Sequence, residues 1–135
     1  MNATTIAQLV QFTLDGSMPF PEIIGRLLRE GVESYRTDYR TLCFTFYGAD
    51  GGVVGVPLQY EGLPAVGEVF HEADLRAAIL ASQTQGQKFR DFCARAMQAG
   101  VRSYEVFVKG QRVLYLGRHG DQHVEWFPGA KPAKA

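Results

Sequence analysis

The chain is poor in the features that mark most dedicated functions. It has two cysteines, three histidines and no net formal charge in 135 residues. Balanced charge excludes a general nucleic-acid or anionic-membrane surface, because either needs a basic field. No apolar run approaches the length of a membrane span, and no charged-then-apolar signal segment opens the chain. There is no Walker loop, no dinucleotide fingerprint, no nucleophile elbow and no paired-cysteine metal motif. Cys43 and Cys93 both sit within apolar patterns, so they read as reduced, buried thiols of a cytoplasmic protein. Their spacing leaves open whether they meet. What remains is a globular composition, 46% hydrophobic, at a length suited to a single core without staples.

What the chain does have is a repeat. Gly31-Val32-Glu33-Ser34-Tyr35 returns as Gly100-Val101-Arg102-Ser103-Tyr104, 69 residues later. The match runs without a gap from Phe20 against Phe89, through Arg26 against Arg95, to Gly48 against Gly117 and Gly51 against Gly120. Each copy places a glycine between an apolar-periodic helix and a β-branched, aromatic strand. Glycine there supplies the left-handed turn that closes a helix. Two copies at so long a period indicate a pseudo-symmetric domain and not a solenoid.

The periodicity predicts helices over 4–15, 20–30, 72–85 and 89–99. Their inward stripes are Ile6, Leu9, Val10 and Thr13; Phe20, Ile24, Leu27 and Leu28; Leu75, Ala78, Ile79 and Ser82; and Phe89, Cys93, Ala96 and Met97. Asn2, Thr4 or Thr5 caps the first helix, and His71 stands where it would cap the third. Alternation predicts strands over 32–39, 41–47, 53–58, 101–108, 111–116 and 122–127. The expected fold is α+β: two helix-helix-three-strand repeats, about 4–60 and 72–128, within one domain of residues 1–129. Antiparallel strands carry helices packed on them. Whether the halves share one sheet or form two is open. Residues 130–135 have nothing to bury and read as a mobile tail.

Chemistry-bearing residues concentrate at the last turn and strand. His119, Asp121, His123 and Glu125 alternate, and imidazole with carboxylate is an ordinary donor set for zinc or a similar metal. Glycines make 117–121 a turn, however, which secures only His123 and Glu125 on one face. That pair then reads as the solvent side of a strand whose other side buries Val124 and Trp126. Glu22 and Glu72 are explained by the helix macrodipole in first turns. Ser34 and Ser103, at matching positions of the repeat, read as structural. Tyr35, Arg36, Tyr39, Tyr104 and Tyr115 are candidates for a binding face, since Tyr and Arg are enriched at binding hot spots.

At Phe20-Pro21-Glu22, Gly31 to Tyr35, Tyr47-Gly48 and the run from Gly120 to Pro128 the chain resembles the YbcV-like family. This is a family of small bacterial proteins of unknown function, some prophage-encoded and some labelled phage envelope protein. The resemblance covers nearly the whole chain and implies kinship. It implies no cofactor, no active site and no reaction. The expected function is therefore a non-catalytic binding or interaction module, using a tyrosine- and arginine-bearing sheet face or a groove between the halves. Its partner would be a protein or small molecule, or a second copy in a homodimer, with no cofactor. The alternatives are a small enzyme or metal-binding protein using His119 to Glu125, and an oligomeric phage structural protein.

Overall fold

A computed structural model describes residues 1–130. The element order is α1 (Ala3–Asp15), α2 (Phe20–Arg29), β1 (Val32–Asp38), β2 (Cys43–Gly48), β3 (Val53–Pro57), α3 (Glu72–Thr84), α4 (Phe89–Gln98), β4 (Val101–Phe107), β5 (Arg112–Gly117) and β6 (Gln122–Trp126). The fold is α+β, and the helix-helix-three-strand pattern occurs twice, as the repeat requires. The expected tail lies outside the described residues from Lys131 onward.

Local chemistry explains the helix ends. Asn2 accepts the Thr5 N–H at 3.0 Å and caps α1, while Gly16 closes it in the left-handed conformation at φ 72°. Pro21 sits in the first turn of α2, Glu22 near its positive end, and Arg26 and Arg29 near its negative end. His71 does precede α3, but its side chain makes no capping bond.

The six strands form one antiparallel sheet in the order β3-β2-β1-β4-β5-β6. The halves therefore share a sheet, joined where β1 pairs with β4. In that pairing Arg36 stands opposite Glu105, the position 69 residues on, and the two side chains form an ion pair at 3.3 Å. A local two-fold axis thus passes through this pair. Around it the backbone is doubled. The Tyr39 N–H donates to the Arg102 carbonyl and the Val108 N–H to the Glu33 carbonyl. Bulges interrupt Val32/Ser34 and Val101/Ser103 alike. Leu42 and Gln111, also matched, take the left-handed conformation at φ 52° and 56°.

All four helices lie over one face of the sheet. The buried stripes differ from the periodicity in their centring. On α2, Ile23 and Leu27 are buried, while Phe20 and Leu28 are 41% and 46% exposed. On α4, Phe92 joins Cys93, Ala96 and Met97 in the interior, and Phe89 is half-buried. On α3, Ala81 is buried and Ser82 is not. A 3.6-residue period defines a stripe only to within one position on either side. The neighbour it packs against selects the centre.

The two repeat glycines are not equivalent in context. Gly31 and Gly100 both have positive φ, 80° and 95°. A Cβ at Gly31 would meet open space, whereas one at Gly100 would overlap the Val69 carbonyl of the connecting loop. Gly31→Ala should therefore cost about 1 kcal/mol, from backbone strain alone. Gly100→Ala should cost about 3 kcal/mol or more, because the loop must also move. Urea unfolding of the two variants measures the difference.

Candidate functional site

The strand registers line up two rows of side chains across the helix-covered face. The first runs Val54, Phe46, Tyr35, Val106, Val113, Glu125. The second runs Val56, Phe44, Thr37, Tyr104, Tyr115, His123. Side chains opposite each other in an antiparallel pair share a face. His123 and Glu125 therefore point under the helices, and Val124, 42% exposed, and Trp126 lie on the open face. This reverses the sequence expectation. A strand at the rim of a sheet carries too few apolar residues for alternation to announce which face is covered. The repeat held the missing signal: His123 and Glu125 occupy the places of Val54 and Val56, which face inward.

His123 is held between two carboxylates. Its Nδ1 lies 2.9 Å from Glu72 Oε1 and its Nε2 lies 3.0 Å from Glu125 Oε1. The imidazole side chain is only 10% exposed and lies against Tyr115, with ring centroids 6.2 Å apart. An imidazole that makes both contacts as hydrogen bonds donates from both nitrogens, whereas its neutral form donates from one. Glu72 comes from the first turn of α3, so this cluster ties the helix layer to the sheet edge. Helix polarity alone explains a glutamate there, which is why sequence reasoning missed its partner.

The four residues considered as metal ligands are not brought together. His119 lies 3.6 Å from Glu68 on the surface, and Asp121 is exposed in the turn. Glu72 and Glu125 sit at opposite nitrogens of one ring, so a metal at either nitrogen would meet one histidine and one carboxylate. Among the described residues no group of three or more His, Cys, Asp or Glu side chains is placed to hold a metal ion.

Between the helix layer and the sheet is a cavity of about 600 Å³. Tyr35, Phe44, Phe46, Tyr104, Val106 and Tyr115 form its floor. Its roof is Leu9, Val10, Ile23, Leu27 and Ile79, and Phe89 and Phe92 stand at its side. The rings form a continuous network: Tyr35 with Phe46 at 5.0 Å, Tyr104 with Tyr115 at 5.4 Å, and Phe92 with both Tyr104 and Tyr115 at 6.4 Å. The cavity reaches the surface at Phe20, Gln83, Lys88 and Pro128, all exposed. Phe20 packs edge-on to Phe127 at this rim, 5.4 Å between centroids. Glu125 and Lys88 are the charged residues of the lining.

The five binding-face candidates divide between two sides of the sheet. Tyr35, Tyr104 and Tyr115 line the cavity, and Tyr39 is buried next to Tyr104 with centroids 6.0 Å apart. Arg36 lies on the opposite, open face, paired with Glu105. These five residues do not share one surface. Residues 35 and 36 are adjacent in a strand, so they must point apart.

Burial dominates the electrostatics of this interior. It pushes the hydroxyls of Tyr35, Tyr39, Tyr104 and Tyr115 above the ordinary tyrosine range. The same cause raises the Cys93 thiol from 9.0 to about 12, with the neighbouring Tyr39 hydroxyl offsetting a part. The Thr37 and Tyr39 hydroxyls are buried with no hydrogen bond of normal geometry. Cys93 and Cys43 are both free. Groups whose deprotonation is suppressed by folding hold their protons longer in the native state. The unfolded chain loses them first, so stability declines as pH rises above about 9 and is lost progressively toward 12. Urea midpoints measured across that interval should fall steadily, and Cys93→Ala should remove part of the slope.

His123→Val combined with Glu125→Val places in the second half what the first half already carries. This double variant should fold, with stability within about 1 kcal/mol of the parent, since a polar cluster replaced whole by apolar groups leaves no partner stranded except the exposed Glu72. Thermal unfolding measures this. A loss well beyond that would mean that the cluster is a structural clasp and not a specialised end of the cavity.

A family model described as "Protein of unknown function (DUF1398)" matches residues 13–124. Uncharacterised proteins of Mycobacterium tuberculosis and Mycobacterium bovis are each 32% identical over 119 residues, covering 84% of this chain and 70% of the relative. The family match takes in every floor residue of the cavity together with His123, and ends just before Glu125. The chain belongs to the DUF1398 family, whose function is unknown.

Proposed function

We propose that this DUF1398 member is a non-catalytic binding protein that encloses one small, largely apolar ligand between its helices and its sheet. The observation that carries the reading is the cavity of about 600 Å³, floored by aromatic rings and open at one rim. Protein interiors are close-packed, and voids larger than a water molecule are few. At ~24 cal/mol per Å³ a sealed, dry void of this size would cost about 14 kcal/mol. That rivals the whole stability of a domain. This space opens at the rim, where it can be filled from outside. Its volume falls in the ~300–1,000 Å³ range of small-molecule sites.

A second reading, acid–base chemistry, is favoured by one feature. His123 sits between Glu72 and Glu125, and Glu125 reaches the cavity wall. It requires a substrate atom within hydrogen-bond reach of that pair. The YbcV-like kinship, a prophage ancestry and a cytoplasmic setting belong to the same proposal. No described helix is long and apolar enough to cross a membrane. The doubled chain is, on this view, an internal duplication in which the second copy acquired the polar end.

N-phenyl-1-naphthylamine, an apolar fluorophore, tests the reading. Saturable binding of one probe per chain, with blue-shifted emission, is expected. Ile79→Trp or Thr13→Trp, which fill the cavity from its roof, should weaken binding at least about tenfold while the protein stays folded. Unsaturable binding, or binding unchanged in both filled variants, defeats the proposal. It would turn the search to protein partners, including further copies of the chain.

A further inference from the structure

We infer that the ligand is an uncharged, ring-containing molecule bearing a neutral oxygen acceptor, a carbonyl or an ether, which takes the O–H donors of Tyr35 and Tyr115. The inference rests on the cavity reading above and goes on to name the chemistry of the occupant. Tyr35 and Tyr115 are 6% and 5% exposed, and both line the cavity floor. Neither hydroxyl has a hydrogen-bonding neighbour that affects it; burial leads the causes acting on each. By contrast, the half-buried Tyr60 hydroxyl donates to the Leu14 carbonyl at 2.6 Å. Buried hydroxyls find partners, in the protein, in water or in a ligand. Here the space above them is the cavity.

The rest of the lining decides the charge of the occupant. The floor and roof offer rings and aliphatic chains, with no cation beside the two phenols; one carboxylate, Glu125, stands close enough to Tyr115 to act on its hydroxyl. Glu125 is held by His123, and Lys88 stands exposed at the rim. An anionic group lowered to the phenols would lose its hydration without a countercharge and would meet Glu125, and a cation would find only a carboxylate already engaged by His123. Burial also keeps the phenols protonated, so what they present is O–H. A neutral oxygen on an apolar frame meets all of these conditions. The flanking rings of Phe46 and Phe92 favour a planar frame that can stack or pack edge-on.

Competition against bound N-phenyl-1-naphthylamine separates the possibilities, using 2-acetylnaphthalene, the matched hydrocarbon 2-isopropylnaphthalene and the anion 2-naphthoate. The ketone is expected to displace the probe at about tenfold lower concentration than the hydrocarbon, one buried hydrogen bond's worth of affinity. The carboxylate should be the weakest of the three. Tyr35→Phe with Tyr115→Phe should weaken the ketone to the level of the hydrocarbon and leave the hydrocarbon unchanged. The two single variants provide the same readout if the double variant does not fold. Equal affinity of ketone and hydrocarbon for the parent, or a preference that survives loss of both hydroxyls, overturns the ligand class while leaving the cavity reading intact. Failure of the fluorophore and of all three competitors to bind the parent overturns both.

Discussion

The pairing of β1 with β4 is the constraint on which everything else depends. Neither helix-helix-three-strand unit buries both of its layers alone, and an isolated three-stranded sheet would expose an edge at β1 or β4. Joining those two edges antiparallel, with Arg36 facing Glu105, completes a six-stranded sheet and fixes the two-fold relation in one step. The exposed ion pair itself contributes little, well under 1 kcal/mol by the usual measure of surface pairs. Register comes instead from the inward rows. Slipping one residue would turn Tyr35, Tyr104 and Val106 to the open side.

From that pairing the cavity follows. The two helix pairs touch where α1 meets α4, and the cavity lies between them and an aromatic floor. Each pair brings small or turned-out residues to the seam: Gly16 and Thr13 from one, Gly86 and Ser82 from the other. Phe20 at the start of α2, exposed at the rim, is a residue that the helical period places in the core and the symmetry places at the mouth. Its counterpart Phe89 stands inside the same cavity. Equivalent residues thus serve as lip and wall of one space.

The symmetry is broken where chemistry enters. Val54, Val56 and Ala3 in the first half correspond to His123, Glu125 and Glu72 in the second. An apolar sheet edge on one side becomes a hydrogen-bonded polar edge on the other. Similar backbones with different end residues make one end of the floor apolar and the other polar. A single occupant would then have one orientation and not two.

Composition, period and repeat were enough to determine the class of fold, the ten elements to within a residue or two, and the left-handed glycines at 31 and 100, because these are consequences of local backbone and side-chain chemistry. The repeat even carried the inward direction of His123, through its alignment with Val54. What only the tertiary structure decided is how far apart the layers stand and which distant residues meet. Glu72 and His123 are 51 positions apart and share no motif. The tyrosines at 35, 104 and 115 look in sequence like half-wet strand residues, and whether their hydroxyls meet water, a carbonyl or an enclosed space depends on the gap left by four helices. Hydrophobic periodicity says which side of an element turns away from solvent. It contains nothing about the distance to the element opposite, and a cavity is made of that distance.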